Sequence, residues 1–137
     1  MPTTPSINQS SISHDHTNNI LFLNMKGMMT LNEYKEYFFN VLKTAKKLDC
    51  TSFIYDLSEF EYNSLQARTW KITVFLPQVF RELGADMIVG IVPPKNVMHR
   101  IGVEIAVKAT NKMNYPYELS YFSDIERAKN WMYSKMK

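Results

Sequence analysis

The sequence predicts a single α/β domain built around a mostly parallel β-sheet. Three observations lead to this prediction: strands alternate with amphipathic helices after residue 20, Ser/Thr-based caps mark helix starts, and the internal strands are short apolar runs. The predicted order is β-β-α-β-α-β-α-β-α, with an antiparallel hairpin at the N-terminal end. The 137 residues form one domain by size, and no linker divides residues 1–137.

The first half of the chain supplies the hairpin, one helix and one buried strand. Residues 1–19 are polar and are expected to form a tail or a weak edge strand. Thr30 and Glu33 have the spacing of a capping box, which predicts a helix start. Residues Phe53 to Leu57 are expected to form a strand. The run is short, and its residues before Asp56 are apolar, which is typical of a strand covered on both faces. The predicted elements are an edge strand at 10–15, a strand at 20–25, a helix at 31–48 and a strand at 53–57.

The second half repeats the strand–helix alternation. A long helix is expected over 64–83, with a kink or break at Pro77, because proline lacks an N–H and clashes with the preceding turn. Asn96 is expected to cap a later helix, and Ser123 and Glu126 to form a second capping box. The predicted inward stripe of the long helix is Leu65, Thr69, Ile72, Leu76, Val79 and Leu83. That of the helix after Asn96 is Val97, Ile101, Ile105 and Ala109, and the remaining strands are at 87–92 and 117–122.

Composition excludes several classes of function. A net charge of +3 with dispersed Lys and Arg gives no basic stripe for nucleic acid. The single cysteine, Cys50, excludes an internal disulfide, fits a reducing compartment and is expected to be a buried, inert thiol. No signal-like or membrane-spanning apolar run is apparent, so a soluble, cytoplasmic protein is expected.

Several local motifs, taken in order, resemble a known group. They are the Gly27 turn with a Thr-capped helix containing Tyr34, the run Ile54-Tyr55-Asp56-Leu57, the strand from Ala85 to Val92, and the closing segment from Tyr121 to Met132. From about residue 20 to the end, the chain resembles the STAS-like superfamily and, within it, the small bacterial SpoIIAA-like (STAS/SEC14-type) proteins. The resemblance implies a domain that binds rather than catalyses and that needs no cofactor.

The resemblance also implies a phosphorylation or partner-binding position at Ser64. In STAS anti-sigma-factor antagonists, a serine at the start of the helix after the third strand is phosphorylated and that helix meets the partner. Asn63, Asp56 and Ser58 would surround this position. Here the chain reads Asn63-Ser64-Leu65-Gln66 where that branch has Asp-Ser-Ser-Gly, so capping of the helix by Asn63 or Ser64 is the favoured interpretation.

The SEC14 side of the resemblance implies an apolar cavity for a lipid-like ligand, near the broken helix and the Pro93-Pro94 loop. Methionine and aromatic side chains suit such an adaptable pocket, although residues at helical spacing more often form ordinary core. The candidate cavity residues are Phe75, Phe80, Met87, Met98 and Ile101.

A second surface is suggested by large side chains left over once each helix has a core stripe. Trp70, Val74, Tyr37 and Phe39 are expected to form the interface of a homodimer, the commonest soluble assembly. The alternative is that these helices contact the core on two sides.

Catalytic and metal sites are not predicted. His14 and His16 could share a strand face but lack further ligands at a supporting spacing, so no metal is expected. Acid–base chemistry by Asp56, Glu59 or Glu61 would need a dry pocket. The sequence therefore predicts a non-enzymatic, homodimeric interaction or regulatory domain. The alternative is a carrier or sensor of a small apolar ligand.

Overall fold

A computed structural model describes residues 10–61, 65–84 and 86–136. Five strands form one sheet whose spatial order, β1-β2-β3-β4-β5, is the order along the chain. The strands are β1 (Ser11–Asp15), β2 (Ile20–Gly27), β3 (Ser52–Phe60), β4 (Met87–Val92) and β5 (Tyr117–Tyr121). The helices are α1 (Leu31–Leu48), α2 (Leu65–Trp70), a π-helical segment (Lys71–Phe75), α3 (Leu76–Leu83), α4 (Val97–Asn111) and α5 (Ile125–Lys135).

The predicted fold is confirmed. β1 pairs antiparallel with β2, and every later pair is parallel. The continuous α2–π–α3 segment counts as the single helix expected after the third strand. None of the helices in the described parts of the chain combines the length and apolar composition needed to cross a membrane.

The two faces of the sheet bury separate cores. Successive strand side chains point to opposite faces, so Phe53 of β3 joins the larger core while its neighbour Ile54 joins the smaller one. The larger core lies under α1, the α2–π–α3 segment and α4. The smaller core lies under α5, where Ala128 and Met132 are fully buried. Covering both faces explains the unbroken apolar run Phe53-Ile54-Tyr55 near the start of β3.

The long helix is disrupted one turn before Pro77 rather than at it. The N–H of Leu76 donates to the carbonyl of Lys71, five residues back, which makes the turn Lys71–Phe75 a π-helix. Pro77 then falls in the first turn of α3, where a missing N–H is tolerated. The predicted core stripe is wrong before this turn, because Leu65 and Thr69 are exposed and Ala67 is buried instead.

Helix α4 presents to the core a different face from the one predicted. Its cap is as expected, since Asn96 Oδ1 accepts from the N–H groups of Met98 and His99. However, the predicted inward residues Val97, Ile101 and Ile105 are 55%, 44% and 51% exposed. The inward positions are Val103, Ala106, Val107 and Thr110. Apolar residues occur around most of this helix, so periodicity alone pointed to the wrong side.

Helix α5 begins one residue later than the predicted capping box implied. Asp124, rather than Ser123, is the N-cap, and its Oδ1 accepts from the N–H of Arg127 at 2.9 Å. The Thr30–Glu33 capping box of α1 is present as predicted. A short polar side chain on either side of the boundary can fill the cap, which is why the sequence left this position ambiguous.

Candidate functional site

A cavity of about 90 Å³ lies within the larger core, between the sheet and its helical cover. This central cavity is floored by β3, β4 and β5, and walled by α1, the π segment, α3 and α4. It is partly open to the surface, and most of its lining is aliphatic or aromatic. A water molecule needs roughly 10–15 Å³ of such space, so the central cavity has room for a small organic group. Representative lining residues are Phe53, Tyr55, Phe75, Val79, Val89 and Val107.

Three of the residues predicted to hold an apolar ligand, Phe75, Phe80 and Met87, line this cavity. That a ligand binds there stays a prediction. Met98 and Ile101 do not line the cavity; both lie on the exposed side of α4, which is rotated relative to the predicted orientation. Val103 and Val107 occupy the cavity wall in their place.

Lys71 is the charged residue in the described lining of the central cavity, and sequence reasoning missed it. Its Nζ lies 4.5 Å from the centre of the Phe38 ring and 4.9 Å from that of Tyr55. Part of the Lys71 residue reaches solvent, yet desolvation of the amine lowers its pKa to about 8. In the described parts of the chain, no carboxylate forms an ion pair with it. One signal was available: Lys71 lies four residues from both Ala67 and Phe75, which are deeply buried.

Tyr55 places a second polar group beside Lys71. Burial raises the pKa of its hydroxyl above the ordinary value. Within residues 10–61, 65–84 and 86–136, this hydroxyl has no hydrogen-bond partner, whereas the other polar lining groups are satisfied. Thr110 Oγ1 donates to the carbonyl of Ala106 at 2.9 Å, and the Tyr117 hydroxyl donates to Asn111. The unfilled hydrogen-bonding capacity of the central cavity is therefore concentrated at Lys71 and Tyr55.

The candidate phosphorylation site is only partly visible. Asn63 and Ser64 lie outside the described residues, so their role stays a prediction. Asp56 and Ser58 lie within β3 rather than in a turn: Asp56 Oδ1 accepts from the Ser58 hydroxyl at 2.7 Å and from its N–H at 3.1 Å. Strand alternation directs Asp56 to the face opposite Tyr55 and the central cavity.

The candidate interface residues have different environments. Trp70 is half-buried, stacked on Phe75 with ring centres 5.4 Å apart and edge-on to Phe39 at 5.5 Å. Phe39 and Val74 are exposed. Tyr37 is buried, and its hydroxyl donates to the carbonyl of Ser11 at 2.8 Å, which ties α1 to β1. We name Phe39, Trp70 and Val74 the Trp70 patch. The predicted fourth residue, Tyr37, lies in the larger core instead.

The remaining polar candidates have local partners. His14 Nδ1 lies 2.9 Å from His16 Nδ1, and His14 Nε2 lies 2.7 Å from Asn19 Oδ1. The described residues contain no group of three or more His, Cys, Asp or Glu side chains placed to hold a metal ion. Cys50 is buried, and desolvation raises the pKa of its thiol. Glu59 and Glu61 are exposed, whereas acid–base chemistry would need a dry environment.

In comparisons with known proteins, the property that this chain shares with a solved structure is its fold. No family model matches the chain, and no curated protein matches it. One solved structure does: an uncharacterized protein from the DUF3478 family with a SpoIIAA-like fold, from Shewanella loihica PV-4. It is 18% identical, with a TM-score of 0.60 over 96% of this chain and 99% of that chain. The chain therefore has a SpoIIAA-like fold.

Proposed function

We propose that this chain is a non-enzymatic binding domain whose ligand is a small apolar molecule held in the central cavity. The observation that carries the proposal is an apolar space inside the larger core, with two polar groups, Lys71 and Tyr55, in its wall that have no polar partner among the described residues. Pockets of this composition, mostly apolar with a few convergent polar groups, are the usual form of small-molecule sites.

The energetics of packing support the proposal. Protein cores are close-packed, and an empty cavity costs roughly 24 cal/mol per Å³, so about 90 Å³ corresponds to about 2 kcal/mol of lost stability. A ligand that fills the space restores the missing contacts. The π segment adds a further argument, because π-helical turns are frequent at functional sites and this one supplies Lys71 to the wall.

Native mass spectrometry on gently purified protein tests the proposal directly. We expect additional mass that disappears under denaturing conditions. The matched variants are Val107→Phe, which fills the central cavity, and Val97→Phe, which places the same ring on the exposed side of the same helix. The first should abolish the additional mass and the second should retain it. Retention by both variants would place the ligand elsewhere.

The Trp70 patch supports a second candidate function, association with another copy of this chain. Phe39 and Val74 expose large apolar side chains on neighbouring elements, and the half-buried Trp70 ring packs edge-on against Phe39. Two-fold dimers are the commonest closed assembly, and buried Trp residues often anchor such contacts. Sedimentation velocity should show a dimer that Val74→Lys dissociates. Ile105→Lys, an equally exposed apolar position on α4, should leave the dimer intact.

A further inference from the structure

We infer that the ligand of the central cavity is a small monocarboxylic acid, with its carboxylate held by Lys71 and Tyr55 and its apolar body inside the cavity. The inference rests on the proposed function, and it names the chemical class of the ligand. Three properties of the described residues support it: the charge of the wall, the balance of donors and acceptors, and the volume.

The charge of the wall favours an anion. Lys71 is the charged residue among those lining the central cavity, and its amine contacts the faces of Phe38 and Tyr55 rather than a carboxylate. Ring faces offset only part of the cost of desolvating an ammonium group. A ligand carboxylate would complete the ion pair that the described residues leave open. A ligand ammonium group would instead be repelled.

The donor and acceptor balance favours a carboxylate over a neutral polar group. A lysine ammonium offers three donors and no acceptor, and a tyrosine hydroxyl supplies one more donor. An ionised carboxylate only accepts, with two oxygens and about four lone-pair positions. Thr110 and Tyr117 are already engaged with Ala106 and Asn111, so they do not compete for the ligand. The unpaired donors of Lys71 and Tyr55 are thus complementary to the acceptor oxygens of one carboxylate.

The volume sets the size of the apolar body. An engineered cavity of about 150 Å³ accommodates benzene, so about 90 Å³ suits a smaller body of about four or five carbon atoms. A long lipid chain would require the helical cover to open. With one cation in the described wall, a single carboxylate is expected, and a dicarboxylate would leave its second charge unpaired among apolar side chains.

The test compares three ligands with the same branched five-carbon skeleton: 3-methylbutanoate, 3-methylbutan-1-ol and 3-methylbutan-1-amine. Binding is measured by two-dimensional 1H–15N NMR titration, which also shows whether shifts occur at cavity residues such as Val89 and Val103. We expect the acid to bind about tenfold more tightly than the alcohol, because a hydrogen-bonded ion pair replaces neutral hydrogen bonds. The amine should produce no shifts at the cavity.

Variants separate the charge from the cavity. Lys71→Met keeps the length and removes the charge, so it should weaken binding of the acid about tenfold and leave binding of the alcohol unchanged or improved. Tyr55→Phe should weaken binding of the acid by a smaller factor than Lys71→Met does. Lys43→Met, at an exposed position on α1, is the control and should change neither. Thermal unfolding of each variant establishes that it is folded.

The outcomes distinguish this inference from the proposed function. Equal affinity for acid and alcohol, or an unchanged affinity of Lys71→Met for the acid, overturns the carboxylate assignment while a cavity ligand remains. If none of the three compounds binds, the inference is overturned unless native mass spectrometry identifies a carboxylic acid as the bound ligand. The proposed function is then decided by the mass of the ligand in native mass spectrometry. A carboxylic acid identified there supports the inference, and a neutral or cationic compound refutes it.

Discussion

Lys71→Met should stabilise the ligand-free protein at neutral pH, and the gain should shrink as the pH rises. The Lys71 pKa is about 8 in the folded protein, below the ordinary lysine value of 10.5, because burial removes water from the amine. Between these two pH values the unfolded chain binds more protons than the folded one. Stability of the wild type therefore increases with pH in this window, and the increase is complete above 10.5.

The magnitude follows from the two pKa values. At about 1.4 kcal/mol per pH unit, the drop from 10.5 to about 8 corresponds to roughly 3 kcal/mol. Because part of Lys71 reaches solvent and its amine contacts two ring faces, we expect about half of this, roughly 1.5 kcal/mol. The stability advantage of Lys71→Met should thus decrease by roughly 1.5 kcal/mol in total. Because the change is complete only above pH 10.5, roughly half of it should appear between pH 7 and pH 10.

Urea unfolding of wild type and Lys71→Met at pH 7, 8, 9 and 10 measures this difference. Burial also raises the pKa of Cys50, Tyr37 and Tyr55, but these groups are common to both proteins and cancel in the comparison. Lys43→Met, the same substitution at an exposed position on α1, is the control variant. A constant gap between wild type and Lys71→Met across the same pH range would refute the assignment of Lys71 as a desolvated amine.

Three further predictions concern stability, each measured by urea unfolding. Gly84→Ala should lower the free energy of unfolding by about 1 kcal/mol, because Gly84 has φ +60°, although the space around it is open. Gly90→Ala should lower it less, because the added Cβ would lie 3.6 Å from Phe122, in ordinary contact. Equal losses would contradict the role of backbone conformation at residue 84. Asn96→Ala should lose about 1 kcal/mol as two N–H groups of α4 lose their acceptor, and Asn96→Asp, which keeps an acceptor oxygen, should lose less. Met132→Ala should lower the free energy of unfolding by about 2–5 kcal/mol, because it removes a fully buried side chain from the smaller core. It should leave ligand affinity unchanged, because Met132 lies on the face of the sheet opposite the central cavity. A change in ligand affinity would contradict the independence of the two faces.

The sheet could be predicted from the sequence because its signals are short-range. Strand β3 alternates Phe53, Ile54 and Tyr55 between two covered faces, and apolar residues on both faces produce an unbroken run. The capping box at Thr30 and the Asn96 cap are likewise local chemistry. These features depend on residues that are close in sequence, so they could be predicted without knowing the tertiary contacts.

Helical faces were predicted less well, for two physical reasons. The π segment adds one residue to a turn, which rotates everything before it by about 100° relative to everything after it. Leu76 and Val79 therefore fit the assumed period, while Leu65 does not. Helix α4 has apolar residues on more than one side, so its orientation is decided by tertiary contacts, such as the 3.4 Å hydrogen bond from Arg68 Nη1 to the carbonyl of Gly102.

How well the candidate site could be predicted depended on how well these helical faces were predicted. Phe75, Phe80 and Met87 were found because they lie after the π segment or on a strand. Lys71 was missed because a lysine on an amphipathic helix is ordinarily assigned to solvent. Its place in the cavity wall arises from the widened turn, which no local sequence pattern specifies.

The two outer strands of the sheet bear on how copies of this protein can meet. β1 and β5 have five residues each, with the sequences SISHD and YELSY, and both carry charged or hydroxyl side chains. Short, polar edges present few unpaired backbone groups in register, which disfavours extension of the sheet into a second molecule. Lateral growth into fibrils is disfavoured for the same reason. Among the surfaces that the described residues form, exposed apolar side chains of the helical cover, such as Phe39 and Val74, are the better candidates for self-association. A point substitution there leaves the strands undisturbed.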